Sequence, residues 1–221
     1  YVDYVKQNNY IPIVNTGQEK IVKKTPIESN QNRIKVKEID SESTQNLFLN
    51  LNQYQKLSDI TKSDFYKISK IQEVKSKNTY AAKESIIKTP KLSKSELIEL
   101  SNEIQSISEI NFPSLLKFIG YSPINFKKDS KSVFVTELTA NGSLDQILRA
   151  ERKGNPLNGW NDTKRLINIY GIAKGMSYLH SNNILHKDLK TENIYIDKDL
   201  YPKVGDYGIP RKVSVVESLS F

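Results

Sequence analysis

The most informative segment of this chain is the polar run H-K-D-L-K-T-E-N at residues 186–193. It follows a long segment with the apolar spacing of a helix and precedes a strand pattern too short to hold it, so we predict that it forms a loop. A small hairpin after this loop would return Asp206 to the side of Asn193. Two carboxylates, an amide and an ammonium would then share one pocket. The carboxylate and amide oxygens are hard ligands that suit Mg²⁺, which also keeps phosphate and water ligands.

The order of the remaining patterns predicts an α+β fold with two lobes. Strand patterns at residues 66–74 and 79–83 come first, and a capping box at Ser93–Glu96 then opens an amphipathic helix. A strand pair at residues 115–121 and 133–138 follows. We therefore expect a small lobe that consists of an antiparallel sheet and one helix.

The second half of the chain predicts part of a helical large lobe. Ser143 is placed to cap a short helix, and Asn161 or Asp162 is placed to cap a longer one. The apolar positions of the longer helix include Leu166, Ile169 and Leu179. Two short strands, at residues 194–196 and 203–205, form the expected hairpin.

Two charged residues of the small lobe stand at positions where burial is expected. Glu103 lies three residues after Leu100 and four before Ile107, so on a helix these three share a face. A carboxylate on a packing face is costly unless a cation meets it, and Lys83, at the end of an apolar strand, is the candidate cation. Taken alone, each residue would more often be a solvated surface charge.

Several motifs together resemble eukaryotic-type protein kinases. The run H-K-D-L-K-T-E-N followed by D-Y-G is similar to the family's catalytic loop H-R-D-L-x-x-x-N and metal-binding D-F-G. Ala81-Ala82-Lys83 resembles the V-A-I-K strand, and Glu103 matches its helical partner. Thr136-Glu137-Leu138 looks like the gatekeeper and hinge. K-T-E-N after Asp188 resembles the serine/threonine type, and residues 116–121 resemble the tyrosine-kinase-like group.

The resemblance implies ATP and Mg²⁺ as cofactors and a role for each matched residue. Lys83 would hold the α- and β-phosphates and be oriented by Glu103. Asp188 would accept the proton of the substrate hydroxyl, and Lys190 would neutralise the γ-phosphate. Asn193 and Asp206 would hold the metal.

The adenine-binding positions that the resemblance implies are Ala81, Thr136, Glu137, Leu138 and Tyr195. Tyr195 stands where the family usually has Leu. A ring of this size is expected to crowd the floor of the adenine site.

The chain departs from the family at the phosphate-binding loop. None of its nine glycines lies between Asp64 and Lys83, whereas the family uses glycine there because backbone amides must come close to phosphate oxygens. The short distance from Ile71 to Lys83 leads us to expect a deletion of this loop and of most of the second strand.

The resemblance extends over residues 64–221 and sets the expected domain boundaries. Residues 64–138 form the small lobe, and residues 139–221 form a partial large lobe that ends in the activation segment. A kinase continues from there through further helices, so a truncated domain is expected. Residues 1–63, rich in Asn, Gln, Lys and Ser and weakly patterned, form a weakly ordered flank.

Composition narrows the classes of partner and location. The net charge is +8, but the basic residues are scattered and no Arg-rich stripe is present, so no nucleic acid is expected as a partner. The absence of cysteine excludes disulfides and thiolate metal sites and fits a cytoplasmic location. No apolar run is long enough to span a bilayer. The expected partners are ATP, a protein substrate and a regulatory protein.

Three functions remain open at this point. The first is an ATP-dependent serine/threonine protein kinase in signalling, favoured by Lys83, Glu103, Asp188, Asn193 and Asp206. The second is a pseudokinase that acts as a binding or allosteric module, favoured by the missing glycines and by Tyr195. The third is an inactive gene fragment of a kinase, favoured by the start at Tyr1 and the end at Phe221.

Overall fold

The computed structural model describes residues 48–209. Most of the expected flank, residues 1–47, and the end of the expected activation segment, residues 210–221, lie outside the described residues. Between Phe48 and Ile209, no helix has the length and apolar character that a membrane crossing requires.

The first half of the described residues forms a five-stranded sheet in the order β1-β2-β3-β5-β4. All four pairs of neighbouring strands are antiparallel. The strands are β1 (Tyr54–Lys62), β2 (Tyr66–Glu73), β3 (Thr79–Ser85), β4 (Phe118–Ser122) and β5 (Val133–Glu137). Apolar side chains on one face of the sheet form a core that includes Ile71, Ala82, Val133 and Val135.

Strand β1 shows that the expected deletion is wrong. It pairs with β2 from Tyr54–Glu73 to Lys62–Lys67, so the strand predicted near residue 66 is the second strand of the sheet. The domain boundary expected at residue 63 therefore moves to or before Tyr54. Side chains along β1 are exposed from Gln55 onwards, and a polar edge strand lacks the alternation by which a half-buried strand is found in sequence.

Helix α1 (Lys94–Ser108) begins at the predicted capping box, in which Ser93 and Glu96 each bind the other's backbone. Its buried face carries Leu100, Ile104 and Ile107. Glu103 is exposed, because the centre of this face is Ile104, about 100° further round the helix. The expectation that Glu103 lies on the packing side is therefore wrong.

The second half of the described residues contains two further helices and a hairpin. Helix α2 (Leu144–Arg152) is capped by Ser143, and helix α3 (Asp162–Ser181) is capped by Asn161. Strands β6 (Ile194–Ile196) and β7 (Pro202–Val204) form the hairpin, and β7 begins one residue earlier than predicted. The sheet with one helix and the helical part with its hairpin confirm the predicted α+β, kinase-like fold.

Helix α3 buries only some of its predicted apolar positions and packs largely through other residues. Its buried positions are Asn168, Gly171, Gly175 and Leu179. Leu166 and Ile169, predicted to face the core, are 67% and 65% exposed. A Cβ at Gly171 would lie 2.5 Å from Pro202 of β7, so this glycine allows the hairpin to approach the helix closely.

Candidate active site

A cleft of about 460 Å³ lies between the sheet and the β6–β7 side of the fold. All five predicted adenine-binding positions line it, together with Lys83 and Asp206. The predicted residues in its lining are Ala81, Lys83, Thr136, Glu137, Leu138, Tyr195 and Asp206. Glu103, Asp188, Lys190 and Asn193 are not part of this lining.

The segment that follows β5 is anchored at Glu137. The Glu137 amide donates to the Lys117 carbonyl at 2.9 Å, and the Glu137 side chain accepts from the Lys117 amide at 2.8 Å. Lys203 of β7 lies 3.4 Å from the same carboxylate. These contacts fix the backbone of Thr136, Glu137 and Leu138 at the edge of the cleft.

The loop at residues 186–193 gathers its polar groups around one oxygen. Lys190 Nζ lies 2.8 Å from Asp188 Oδ2, and Asn193 Nδ2 donates to the same oxygen at 2.9 Å and to the Asp188 carbonyl at 2.8 Å. The hydrogen bond to Asp188 raises the pKa of Lys190. Both donors bind Oδ2, which orients the Asp188 carboxylate and fixes its distance from Asn193.

The hairpin returns the chain to this loop, as the sequence predicts for Asp206. The Gly205 amide donates to the Asn193 carbonyl at 2.8 Å, which places Asp206 next in the chain. Asp206 adopts a left-handed conformation with φ of 57°, uncommon for a non-glycine residue and typical of functional sites. Its Oδ2 lies 2.5 Å from Lys83 Nζ, so the ammonium links the sheet to the hairpin.

The contact of Lys83 with Asp206 was not predicted. The sequence predicts Glu103 as the partner of Lys83, and the structure shows that Asp206 contacts the ammonium. Glu103 is exposed on α1, and its pairing with Lys83 stays a prediction. The Asp206 contact joins residues far apart in sequence, so helix spacing does not indicate it.

Tyr195 fits beneath the cleft because its neighbour is a glycine. A Cβ at Gly205 would lie 2.6 Å from a ring carbon of Tyr195 and 3.0 Å from Leu116. The missing side chain at Gly205 therefore provides the space that the ring occupies. Burial raises the pKa of the Tyr195 phenol, so the hydroxyl stays protonated at neutral pH. The sequence predicts Gly205 only as the last residue of a strand and not as part of the site. Its position directly before Asp206 is the signal that could have indicated a site residue.

Tyr207 holds the D-Y-G segment against the sheet side of the cleft. Its hydroxyl donates to the Leu116 carbonyl at 2.8 Å in a buried environment. The Leu116 amide in turn donates to the Val204 carbonyl at 2.8 Å. A phenylalanine would pack here but leave the Leu116 carbonyl without this donor. The Tyr207 hydroxyl therefore adds a hydrogen bond that holds the D-Y-G segment in place.

Tyr66, directly after the β1–β2 turn, lines the cleft and was not predicted as a site residue. Residues 61–68, T-K-S-D-F-Y-K-I, span the end of β1, the turn and the start of β2, and Ile68 lines the cleft. With Ile68 at the valine of the motif G-x-G-x-x-G-x-V, its three glycines correspond to Thr61, Ser63 and Tyr66. The loop therefore has its full length without glycine. The ring of Tyr66 lies over Lys83, with Nζ 4.2 Å from the ring centroid.

His186 begins the loop at residues 186–193 as a buried, neutral side chain. Its Nδ1 accepts from the Asp188 amide at 3.4 Å, and its burial lowers the pKa of the imidazole, against the opposing effect of nearby groups that include Asp206 and Asp188. Because the unfolded chain binds a proton more readily, folding stability should fall as the pH drops below about 6.5.

This pH dependence can be measured by denaturant unfolding between pH 7.5 and 5. We expect the free energy of unfolding to decrease by up to about 1.4 kcal/mol per pH unit below the unfolded-state pKa. His186→Leu should remove this part of the slope. His180→Gln, at the other and exposed histidine, should keep it. An unchanged slope in the His186 variant would refute the assignment.

Comparison with known proteins supplies the family context. Residues 54–219 match the sequence profile of the family described as protein tyrosine and serine/threonine kinase. Cysteine-rich receptor-like protein kinase 42 of Arabidopsis thaliana is 39% identical over 116 residues, which cover 51% of this chain and 17% of that protein. The leucine-rich repeat receptor protein kinase EMS1 of the same species is 34% identical over 123 residues, or 54% and 10%.

A relative from an animal shows a similar degree of likeness. The serine/threonine-protein kinase pelle of Drosophila melanogaster is 34% identical over 120 residues, which cover 53% of this chain and 23% of that protein. The chain thus spans less than a quarter of the length of these three relatives. The profile match begins at residue 54, the first residue of β1.

Proposed function

The chain belongs to the protein tyrosine and serine/threonine kinase family, and we propose that it transfers the γ-phosphate of ATP to serine or threonine side chains of a protein substrate in signalling. The observation that carries this proposal is the cluster around Asp188. Lys190 and Asn193 both contact Asp188 Oδ2, and the hairpin sets Asp206 beside them. This arrangement supplies a proton acceptor, a cation and oxygen donors within one site.

Asp188 is the residue proposed to accept the substrate proton. Its Oδ2 is engaged by Lys190 and Asn193, which directs the other oxygen, Oδ1, towards an incoming hydroxyl. Lys190, a half-exposed cation at 2.8 Å, offsets charge that develops on the transferred phosphate. Phosphoryl transfer needs little covalent chemistry from the protein, so such positioning and charge compensation account for most of the catalysis.

The donors of Asn193 and Asp206 fit a magnesium ion. The side-chain nitrogen Nδ2 of Asn193 donates to Asp188, which directs the side-chain oxygen Oδ1 of Asn193 away from that residue. Asp206 contributes a carboxylate. Among residues 48–209 no three acidic, His or Cys side chains converge, so the cation would take its other ligands from phosphate and water. When bound, Mg²⁺ would supply positive charge to the phosphates.

The apolar part of the cleft is proposed to hold the adenine base. Ala81 lies above it on β3, and Tyr195 lies on the opposite side at the base of the cleft. Thr136, Glu137 and Leu138 line the edge between them, where backbone groups can bind the base. Lys83, which also lines the cleft, would then reach the phosphates.

A second candidate function is a nucleotide-binding regulatory module without phosphate transfer. The specific observation that favours it is the β1–β2 turn, where Thr61, Ser63 and Tyr66 replace the three glycines of the family motif. Side chains at these positions hinder the close approach of backbone amides to phosphate. In either function we propose a cytoplasmic location, with a protein substrate or a regulatory protein as the partner.

Thermal unfolding of the 221-residue chain with MgATP tests nucleotide binding. With a dissociation constant near 1 mM, 10 mM MgATP should stabilise the fold by about 1.4 kcal/mol, or roughly 3–5 °C. Lys83→Met should abolish most of this shift, because it removes the cation of the cleft lining that is proposed to bind the α- and β-phosphates. Lys198→Met, which removes an exposed cation from the β6–β7 turn, should leave the shift unchanged. No shift in the wild-type chain would exclude both functions.

A further inference from the structure

Lys83 is covered on two sides by residues of its own chain. Its Nζ lies 2.5 Å from Asp206 Oδ2 and 4.2 Å from the centroid of the Tyr66 ring. The Lys83 side chain is only 22% exposed. An ammonium has three N–H donors, and a phosphate that binds here must compete with a carboxylate and with a cation–π contact.

The Tyr66 side chain lines the cleft, as do Tyr195 and Asp206. Its neighbour Phe65, by contrast, is an exposed residue outside the lining. A change at Tyr66 therefore alters the cleft, whereas a change at Phe65 leaves the lining as it is.

The backbone holds Tyr66 in this place. The Ser63 amide donates to the Tyr66 carbonyl at 2.9 Å, and the Tyr66 amide donates to Ser63 Oγ at 3.2 Å. Tyr66 also pairs with Ser85 across β2 and β3. The Tyr66 side chain therefore projects from a hydrogen-bonded strand end, and rotation of that side chain is the smallest change that uncovers Lys83.

We propose that the Tyr66 side chain is a gate over the phosphate position of the cleft and determines which ligands bind. While the ring covers Lys83, the cleft accepts a nucleoside such as adenosine. It admits a nucleoside triphosphate only when the ring leaves Lys83. The proposal deepens the proposed function and rests on it, because it takes the cleft to be a nucleotide site. The base contacts Ala81, Leu138 and Tyr195 are the same in both states. Only the triphosphate competes with Tyr66.

Titration calorimetry of the full chain with adenosine and, separately, with MgATP tests this gate. For the wild-type chain, we expect MgATP to bind no more tightly than adenosine. Tyr66→Gly, which restores the third glycine of the motif, should strengthen MgATP binding about tenfold, the equivalent of about 1.4 kcal/mol. Adenosine affinity should change less than twofold. Tyr66→Phe, which keeps the ring over Lys83, should bind both ligands as the wild-type chain does.

Phe65→Gly is the matched control, because it puts a glycine into the same turn and removes an exposed ring outside the cleft. It should leave the ratio of the two affinities unchanged. Tyr66→Ala provides a second open variant, with the same expected gain, should the glycine variant unfold. Wild-type binding of MgATP much tighter than of adenosine, with no gain in the open variants, would overturn the gate. Failure of every variant to bind either ligand would instead overturn the nucleotide site itself.

Discussion

Asp188→Asn is expected to reduce the rate of phosphate transfer by about 10²–10⁴-fold, the range that a positioned proton acceptor contributes. The substitution keeps the size of the side chain but removes its charge and its ability to take a proton. It also ends the ion pair with Lys190 at 2.8 Å, while Asn193 can still donate to the remaining oxygen. The loop should therefore keep its conformation while it loses the group that accepts the substrate proton.

Nucleotide affinity separates this effect from misfolding. Asp188 does not line the cleft, so the dissociation constant for MgATP should change less than about threefold. Asp199→Asn, which neutralises an exposed carboxylate paired with Lys198 in the β6–β7 turn, is the control and should retain full activity. Equal rates in wild-type and Asp188→Asn chains would refute the role of Asp188 as proton acceptor.

Gly205→Ala should destabilise the fold by about 1–3 kcal/mol, typical of overpacking a buried position. The added Cβ would lie 2.6 Å from the Tyr195 ring and 3.0 Å from Leu116. Gly205 does not adopt a positive φ, so the cost is steric. It should exceed the gain of up to about 1 kcal/mol that alanine provides by restricting the unfolded chain.

Tyr195→Leu should relieve this steric cost, because it replaces the ring that occupies the space at Gly205. In a double-mutant cycle, Gly205→Ala should cost less in the Tyr195→Leu background, with a coupling of about 1 kcal/mol or more. Denaturant unfolding of the four chains gives the required free energies. Additive effects of the two substitutions would show that the Tyr195 ring does not depend on Gly205.

The loop at residues 186–193, the hairpin and the capped helices were predictable because their signals are local. Residues 186–193 carry their motif in one run, and Ser93 and Ser143 bind backbone groups within the next turn. The hairpin brings Asp206 back over a short distance in sequence, so its approach to Asn193 also follows from local structure.

The features missed in sequence depend on tertiary contacts. Strand β1 is recognisable only by its pairing with β2, since its own side chains face solvent. Helix α3 buries Gly171 and Gly175 because β7 and the segment before β4 approach them closely, which no apolar periodicity reports. Likewise, the ring of Tyr66 meets Lys83 only once β2 and β3 are paired.

Product analysis can decide whether the Asp188 cluster transfers phosphate to serine or threonine, as we claim here. The 221-residue chain is incubated with γ-labelled MgATP and a serine/threonine peptide library, and the products are identified by mass spectrometry. We expect labelled phosphoserine or phosphothreonine from the wild-type chain and a loss of about 10²-fold or more in Asp188→Asn. MgATP binding with no label above the Asp188→Asn background would contradict the claim and identify a regulatory nucleotide-binding module.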